Sequence, residues 1–299
     1  MREKIDLEAK WESLTISDNF IFSQTMHKFP DLCRRLIEEI LQIKILKLVD
    51  PDREKSIQSR RDFRGIRLDV YAEDHGRQRT FDLEMQTTNE KDLPERTRYY
   101  QGLIDQNRLE SGKPYRMLWD SYIIFICTFD FLGFGDYVYS ISERYDNYPD
   151  QVFNTRVRKF LINTKGMHGK ISSNLKEFID YVERGMVSGK FSREIDEAVQ
   201  DVKIGKEARL EFMNLEMEMI NREYRAREEG RIEGKAEGRI EGRIEGKIEG
   251  KAEGQNEARR SIAFDMIQMG KSLDEIQMLT KLPTEIILEL NKSRRGWNS

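Results

Sequence analysis

Asp69, Glu84 and Gln86 are the residues of this 299-residue chain whose types and spacing point most directly to chemistry. They sit in two runs, Arg67-Leu-Asp-Val-Tyr-Ala-Glu-Asp74 and Phe81-Asp-Leu-Glu-Met-Gln86, on either side of His75-Gly76. Both runs alternate with period two and are rich in β-branched and aromatic types, which predicts a β-hairpin. A two-residue turn would set Asp74 opposite Arg77 and Asp69 opposite Asp82, so that Asp69, Glu84 and Gln86 project from one face. Two carboxylates held together repel unless a cation lies between them, and such hard oxygen ligands suit Mg²⁺ or Mn²⁺. On spacing alone a second reading stands beside this one: a solvated hairpin face whose acids point to water, as Asp82 and Glu73 are expected to do.

The elements that must position this hairpin are legible from periodicity. A run after Ser17-Asp18 and residues 31–47 read as helices, with Leu36, Ile37, Ile40 and Leu41 as a buried stripe. Residues 94–111 read as a helix with Pro94 in its first turn and Gly112 at its end. Residues 122–129 are nearly continuous in β-formers, as expected of a strand covered on both faces, and residues 137–141 and 153–162 supply further strands. Cys33 and Cys127 lie in apolar runs, where small hydrophobic packing rather than a disulfide is expected. The scattered His27, His75 and His168 give no zinc-ligand spacing.

Composition bounds the function. Hydrophobic residues make up 38% of the chain and charged ones 35%, with a formal net charge of −3, so contact with nucleic acid must come from local basic patches rather than a global field. The N-terminus lacks the apolar core of a signal peptide and no stretch approaches a membrane span, which predicts a cytoplasmic protein with no membrane partner.

Five phrases recur in one order: Gly65-Ile-Arg-Leu-Asp-Val-Tyr-Ala-Glu-Asp74, Leu83-Glu-Met-Gln86, Leu93-Pro-Glu-Arg-Thr-Arg-Tyr-Tyr-Gln-Gly102, Tyr122-Ile-Ile-Phe-Ile-Cys-Thr-Phe-Asp130 and Phe160-Leu-Ile-Asn-Thr-Lys-Gly166. Through them, residues 18–166 resemble the recombination-promoting nuclease, or transposase-like, family of the PD-(D/E)XK nuclease superfamily. The resemblance implies an α/β fold, a restriction-endonuclease-like mixed β-sheet core flanked by helices, with a C-terminal helical extension. It implies a Mg²⁺- or Mn²⁺-dependent endodeoxyribonuclease linked to DNA recombination or mobile elements, with Asp69, Glu84 and Gln86 catalytic and the metal held by Asp69, Glu84 and the main-chain carbonyl of Met85. Gln86 stands where the superfamily usually has Lys; an amide can orient a water but carries no charge to offset a phosphorane. This keeps open a catalytically weak or inactive relative that binds nucleic acid or assembles with partners. The superfamily often draws a further acid from its first helix, which makes Glu38 and Glu39 candidates against the reading of a polar helix surface. The helix from Pro94 would lie beside the site, with Arg98 a candidate phosphate contact, Lys165 another, Arg96 also available, and Tyr99 and Tyr100 expected to pack inward.

Four segments follow: a nuclease-like domain over residues 1–166, a helical arm over 167–228, a repeat over 229–256 and a small helical unit over 257–299. The repeat runs through seven tetrads of Glu-Gly followed by a basic and an aliphatic residue, the last ending Gln255-Asn256. Like charges occupy every i, i+4 pair, and seven glycines cost about 7 kcal/mol relative to alanine, so a lone helix here is unfavourable. A flexible charged linker and a homo-oligomerising helix are the two readings. In the last unit Ser272-Leu-Asp-Glu275 reads as a capping box. Its final helix carries Glu285 and Glu289, which phosphates repel, so contact with protein is expected rather than base reading.

Overall fold

The computed structural model describes residues 6–57 and 66–295; Gly65, which opens the first quoted phrase, lies outside them. In chain order the elements are α1 (Leu7–Ser13), α2 (Asn19–Lys28), α3 (Pro30–Leu41), β1 (Val49–Ile57), β2 (Ile66–Asp74), β3 (Arg79–Gln86), α4 (Leu93–Arg108), β4 (Asp120–Cys127), β5 (Val138–Ile141), β6 (Arg144–Tyr145), β7 (Tyr148–Val152), β8 (Val157–Asn163), α5 (Ser173–Arg184), α6 (Lys190–Ile204), α7 (Lys206–Gln268), α8 (Leu273–Thr280) and α9 (Thr284–Arg295). Six strands form one sheet in the order β1-β2-β3-β4-β8-β5, and β6 and β7 form a separate hairpin. The β1/β2, β2/β3 and β5/β8 pairs are antiparallel, whereas β3/β4 and β4/β8 are parallel. The sheet is therefore mixed, and its parallel centre is the apolar run of β4, as a strand buried on both faces requires.

The β2/β3 hairpin pairs Asp74 with Arg79 and Val70 with Leu83. Its turn holds four residues, 75–78, not two, and Gln78 closes it at φ 50°. The register is thus shifted by two from the sequence expectation. Because side chains alternate with period two, the shift leaves every residue on its expected face.

Alternation splits the sheet into two cores. Val70, Ala72, Phe81, Leu83, Met85, Ile124, Ile126, Phe160 and Ile162 pack with Trp11, Phe22, Leu36, Phe178 and Phe191 from the helices on that side. On the other face Ile123, Phe125, Cys127 and Leu161 pack with Leu93, and Tyr100 of α4 closes over them. Cys33 and Cys127 are free and buried, and burial pushes both thiols up to about 12.

Helix ends correct several expectations. α3 stops at Leu41 because Gln42 turns left-handed at φ 54°, well short of residue 47. α4 ends at Arg108, and Gly112 with φ 81° lies beyond its cap. Residues 153–156 belong to no strand, so the expected strand from 153 begins only at Val157. Glu38 accepts the Ile45 N–H at 2.8 Å and pairs with Arg34 at 3.0 Å, while Glu39 accepts from Ser172 and Asn174 at the start of α5. Glu39 thus ties α3 to α5, whereas Glu38 holds α3 to the loop that follows it.

The chain divides into two compact units, Met1–Met217 and Glu218–Ser299. Residues 167–228, expected as a helical arm, begin with α5 and α6, whose Leu175, Phe178, Phe191, Ile195 and Val199 belong to the main core, as does Phe212 of α7. Phe212 packs tilted against Trp11 and edge-on against Phe20, with ring centroids 5.4 Å apart in both cases. In the second unit Ala263, Ile267, Ile276, Leu282 and Ile287 form a small core, and the Ser272–Glu275 capping box is present with Glu275 N–H to Ser272 Oγ at 3.3 Å.

Gly166 follows β8 where a Cβ would meet the Tyr137 backbone at 2.6 and 2.7 Å, whereas Gly102, inside α4, has open space around it. Gly166→Ala is expected to destabilise the fold by about 1–3 kcal/mol, and Gly102→Ala to stabilise it by up to about 1 kcal/mol. Chemical denaturation midpoints of the two variants check both signs.

Candidate active site

Past the Val70–Leu83 pair, side chains take over from the β2/β3 ladder. The Asp69 N–H donates to Glu84 Oε1 at 2.9 Å, and the Met85 N–H donates to Asp69 Oδ2 at 3.0 Å. Each acid is held by a backbone N–H, and the two bonds cross from strand to strand. Both carboxylates are buried, at 6% and 3% exposure. Asp82, opposite Tyr71 and two residues before Glu84, lies on the same face and is 1% exposed. It does not point to water as expected. No N–H or hydroxyl donates to its carboxylate oxygens, and the Glu84 carboxyl is its polar neighbour.

Three acids packed in apolar surroundings must pay in proton affinity. Burial, then the neighbouring Asp69 and Asp82 charges, hold the Glu84 carboxyl well above the usual range, and burial followed by Asp69 does the same to Asp82. Among the described residues, the cation beside them comes from α4. Arg96 donates through Nη1 to Gln86 Oε1 at 2.6 Å and through Nη2 to the Tyr100 hydroxyl at 3.2 Å, and Nη2 lies 3.8 Å from Glu84 Oε2. Its guanidinium lies 5.2 Å from the Phe125 ring centre and 5.6 Å from that of Tyr100, within range of both ring faces. The Gln86 Nε2 donates to the Thr88 carbonyl at 2.7 Å, so the amide is fixed at both ends. Burial and the Glu84 charge push the Tyr100 hydroxyl up to about 12, which keeps it neutral while it accepts from Arg96.

The structure thus brings together Asp69, Glu84 and Gln86, and adds Asp82, Arg96 and Tyr100. Met85 turns its side chain into the opposite core. Arg98 is exposed on α4, and Lys165 is exposed just after β8, the strand beside β4. Tyr99 is 38% exposed rather than packed inward, because the inward stripe of α4 runs through Leu93, Arg96, Thr97, Tyr100, Leu103 and Ile104. That helical spacing was the signal for Arg96; for Asp82 it was the even step to Glu84.

The donors are of the type a hard divalent cation takes: buried carboxylates, with no N–H or hydroxyl hydrogen-bonded to Asp82. Asp69 and Glu84 each turn one oxygen to a backbone N–H, and among the described residues no group of three His, Cys, Asp or Glu is arranged to hold an ion. Nor is any helix among them long and apolar enough to cross a membrane.

A six-stranded mixed sheet covered by helices, with acids on adjacent strands under one helix, has the restriction-endonuclease-like α/β architecture of PD-(D/E)XK nucleases. Compared with protein families, residues 21–179 match the PD-(D/E)XK nuclease family transposases, more than half of the chain, and the chain belongs to that family. Searches of curated proteins and of solved structures give no match.

The raised Asp82 carboxyl sets a pH dependence. The folded chain keeps a proton there that the unfolded chain releases, so stability is greatest below the unfolded pKa and falls as pH rises through the folded one. Asp82→Asn, which gives Glu84 a donor, is expected to stabilise the fold on the order of 1–3 kcal/mol near pH 8, with the gain shrinking towards about pH 5. Thermal melts across that range check the sign and the convergence.

Proposed function

We infer that this chain is a divalent-metal-dependent endonuclease that hydrolyses DNA phosphodiester bonds in recombination or mobile-element chemistry. The observation that carries the reading is the meeting of Asp69, Glu84, Gln86 and Arg96 on one sheet face under α4 in a chain of the PD-(D/E)XK nuclease family. Asp69, Glu84 and the Met85 carbonyl would hold Mg²⁺ or Mn²⁺, which when bound supplies Lewis-acid polarisation of the phosphodiester and an activated water.

The remaining groups act by position. Gln86, its amide fixed between Arg96 and the Thr88 carbonyl, orients a water or a phosphate oxygen by hydrogen bonds. Arg96 supplies the positive charge that an amide at position 86 cannot, from the helix rather than the strand, and its fork matches the oxygens of a phosphorane. Phe125 and Tyr100 shield that guanidinium from water, which strengthens its pull on developing negative charge. Arg98 and Lys165, exposed, contact the DNA backbone away from the scissile bond. Gln86 in place of Lys favours a second reading, a DNA-binding relative that cuts weakly; the 2.6 Å contact of Arg96 with Gln86 weighs against it.

Supercoiled plasmid with Mg²⁺ or Mn²⁺ separates the readings. Nicking is expected from the wild-type protein, with Asp69→Ala and Glu84→Ala inactive and Arg96→Ala slowed about 10²–10³-fold. Equal cutting by wild type and the acid variants would reveal a contaminant and sink the enzyme reading, and binding without cutting would establish the second.

A further inference from the structure

Strand register sets one row of residues across the α4 face of the sheet: Glu84 of β3 beside Phe125 of β4, Phe125 beside Leu161 of β8, and Leu161 beside Tyr139 of β5. Neighbouring strands lie about 4.8 Å apart, so Tyr139 stands about 14 Å from Glu84. Phe125, Leu161 and Tyr139 share one apolar cluster with Leu93 of α4, so the row leads out of the acid site without a break. At its far end the Tyr139 ring meets Phe134 edge-on, with ring centroids 6.4 Å apart. Phe134 itself is 71% exposed, and Leu132 and Met167 are exposed as well.

An exposed aromatic ring on a slack loop folds back onto the nearest apolar surface, and the build of residues 128–137, which join β4 to β5, prevents this. The Asp130 carboxylate accepts from the Gly133 N–H at 2.9 Å, the Gly135 N–H at 2.7 Å and the Tyr139 hydroxyl at 2.8 Å. Gly133 and Gly135, on either side of Phe134, take φ 75° and 77°, left-handed angles that side-chain-bearing residues rarely adopt. The Gly135 carbonyl in turn accepts the N–H groups of Met167 at 2.7 Å and His168 at 3.0 Å, which ties this loop to the one after β8. Phe129 and Phe131 pack on the cluster under α4, and Phe134 is turned out.

Charge points to what meets this tip. The Asp130 carboxylate is satisfied by its three donors, and the Asp136 carboxylate lies against Gly169. The loop after β8 adds Lys165 and Lys170, both exposed. Apolar side chains that enter between bases, with lysines beside them for phosphates, are the means by which proteins open a base step.

We propose that Phe134 is a wedge that enters the base stack of bound DNA, with Leu132 and Met167 widening the apolar tip and Lys165 and Lys170 holding adjoining phosphates; this rests on the nuclease reading above. At about 3.4 Å per base pair, the row from Glu84 to Tyr139 sets the wedge about four base steps from the scissile phosphate. Opening a base step costs least where the base is already unpaired. The favoured substrate class is therefore a duplex with a mismatched or unpaired base close to the cut.

Fluorescence-anisotropy titrations of the full chain test this, with a perfect duplex and one of equal length carrying a central mismatch, in EDTA so that no strand is cut. The wild type is expected to bind the mismatched duplex more tightly. Phe134→Ala should bind that duplex about 5–100-fold more weakly and lose the preference, and Phe134→Tyr should keep it. Equal affinity of the wild type for both duplexes, or a preference that survives in Phe134→Ala or vanishes in Phe134→Tyr, overturns the inference and leaves the nuclease reading standing. Binding to neither duplex overturns it too, and plasmid nicking then decides whether the nuclease reading falls with it. A change in the sedimentation of the DNA-free chain on Phe134→Ala would assign the ring to a protein contact and likewise overturn the wedge.

Discussion

The site rests on one constraint: three carboxylates buried on one face of a two-stranded stretch, where their charges repel and little water reaches them. Two crossed bonds, Asp69 N–H to Glu84 and Met85 N–H to Asp69, fix the acids where the β2/β3 ladder gives way. Arg96 is the compensating cation, and its place depends on α4 packing against Phe125, with Tyr100 of the same helix beside it. The sheet order follows from the same need. β3 must carry acids on one face and Leu83 and Met85 on the other, and it can do so only with a core on both sides.

The shared face of the acids was legible because parity is robust. A turn of four residues instead of two moves the register by an even step, so Asp69, Glu84 and Gln86 kept the face that alternation assigned. Burial was not legible. Asp82 has the residue type of a solvated surface, and its seclusion arises from α4, which is remote from it in the chain. Arg96 and Arg98 differ by half a helical turn, and only the position of the apolar stripe on the folded helix decides which reaches the acids. Helix ends failed where the signal was a backbone angle rather than a residue type, as at Gln42.

The C-terminal segments divide along the same line. α5, α6 and the start of α7 read as a helical arm because their amphipathic faces reveal no partner, yet those faces complete the main core. The tetrad repeat has the opposite character: its helix leaves an apolar row and two charge rows exposed.

The central claim is that Asp69 and Glu84 form one cation site beside Arg96. Crystals grown with Mn²⁺ and measured at its absorption edge test it most directly. An anomalous peak bridging the Asp69 and Glu84 carboxylates, lost in Glu84→Ala, is the predicted result; a map with no peak there would contradict the account.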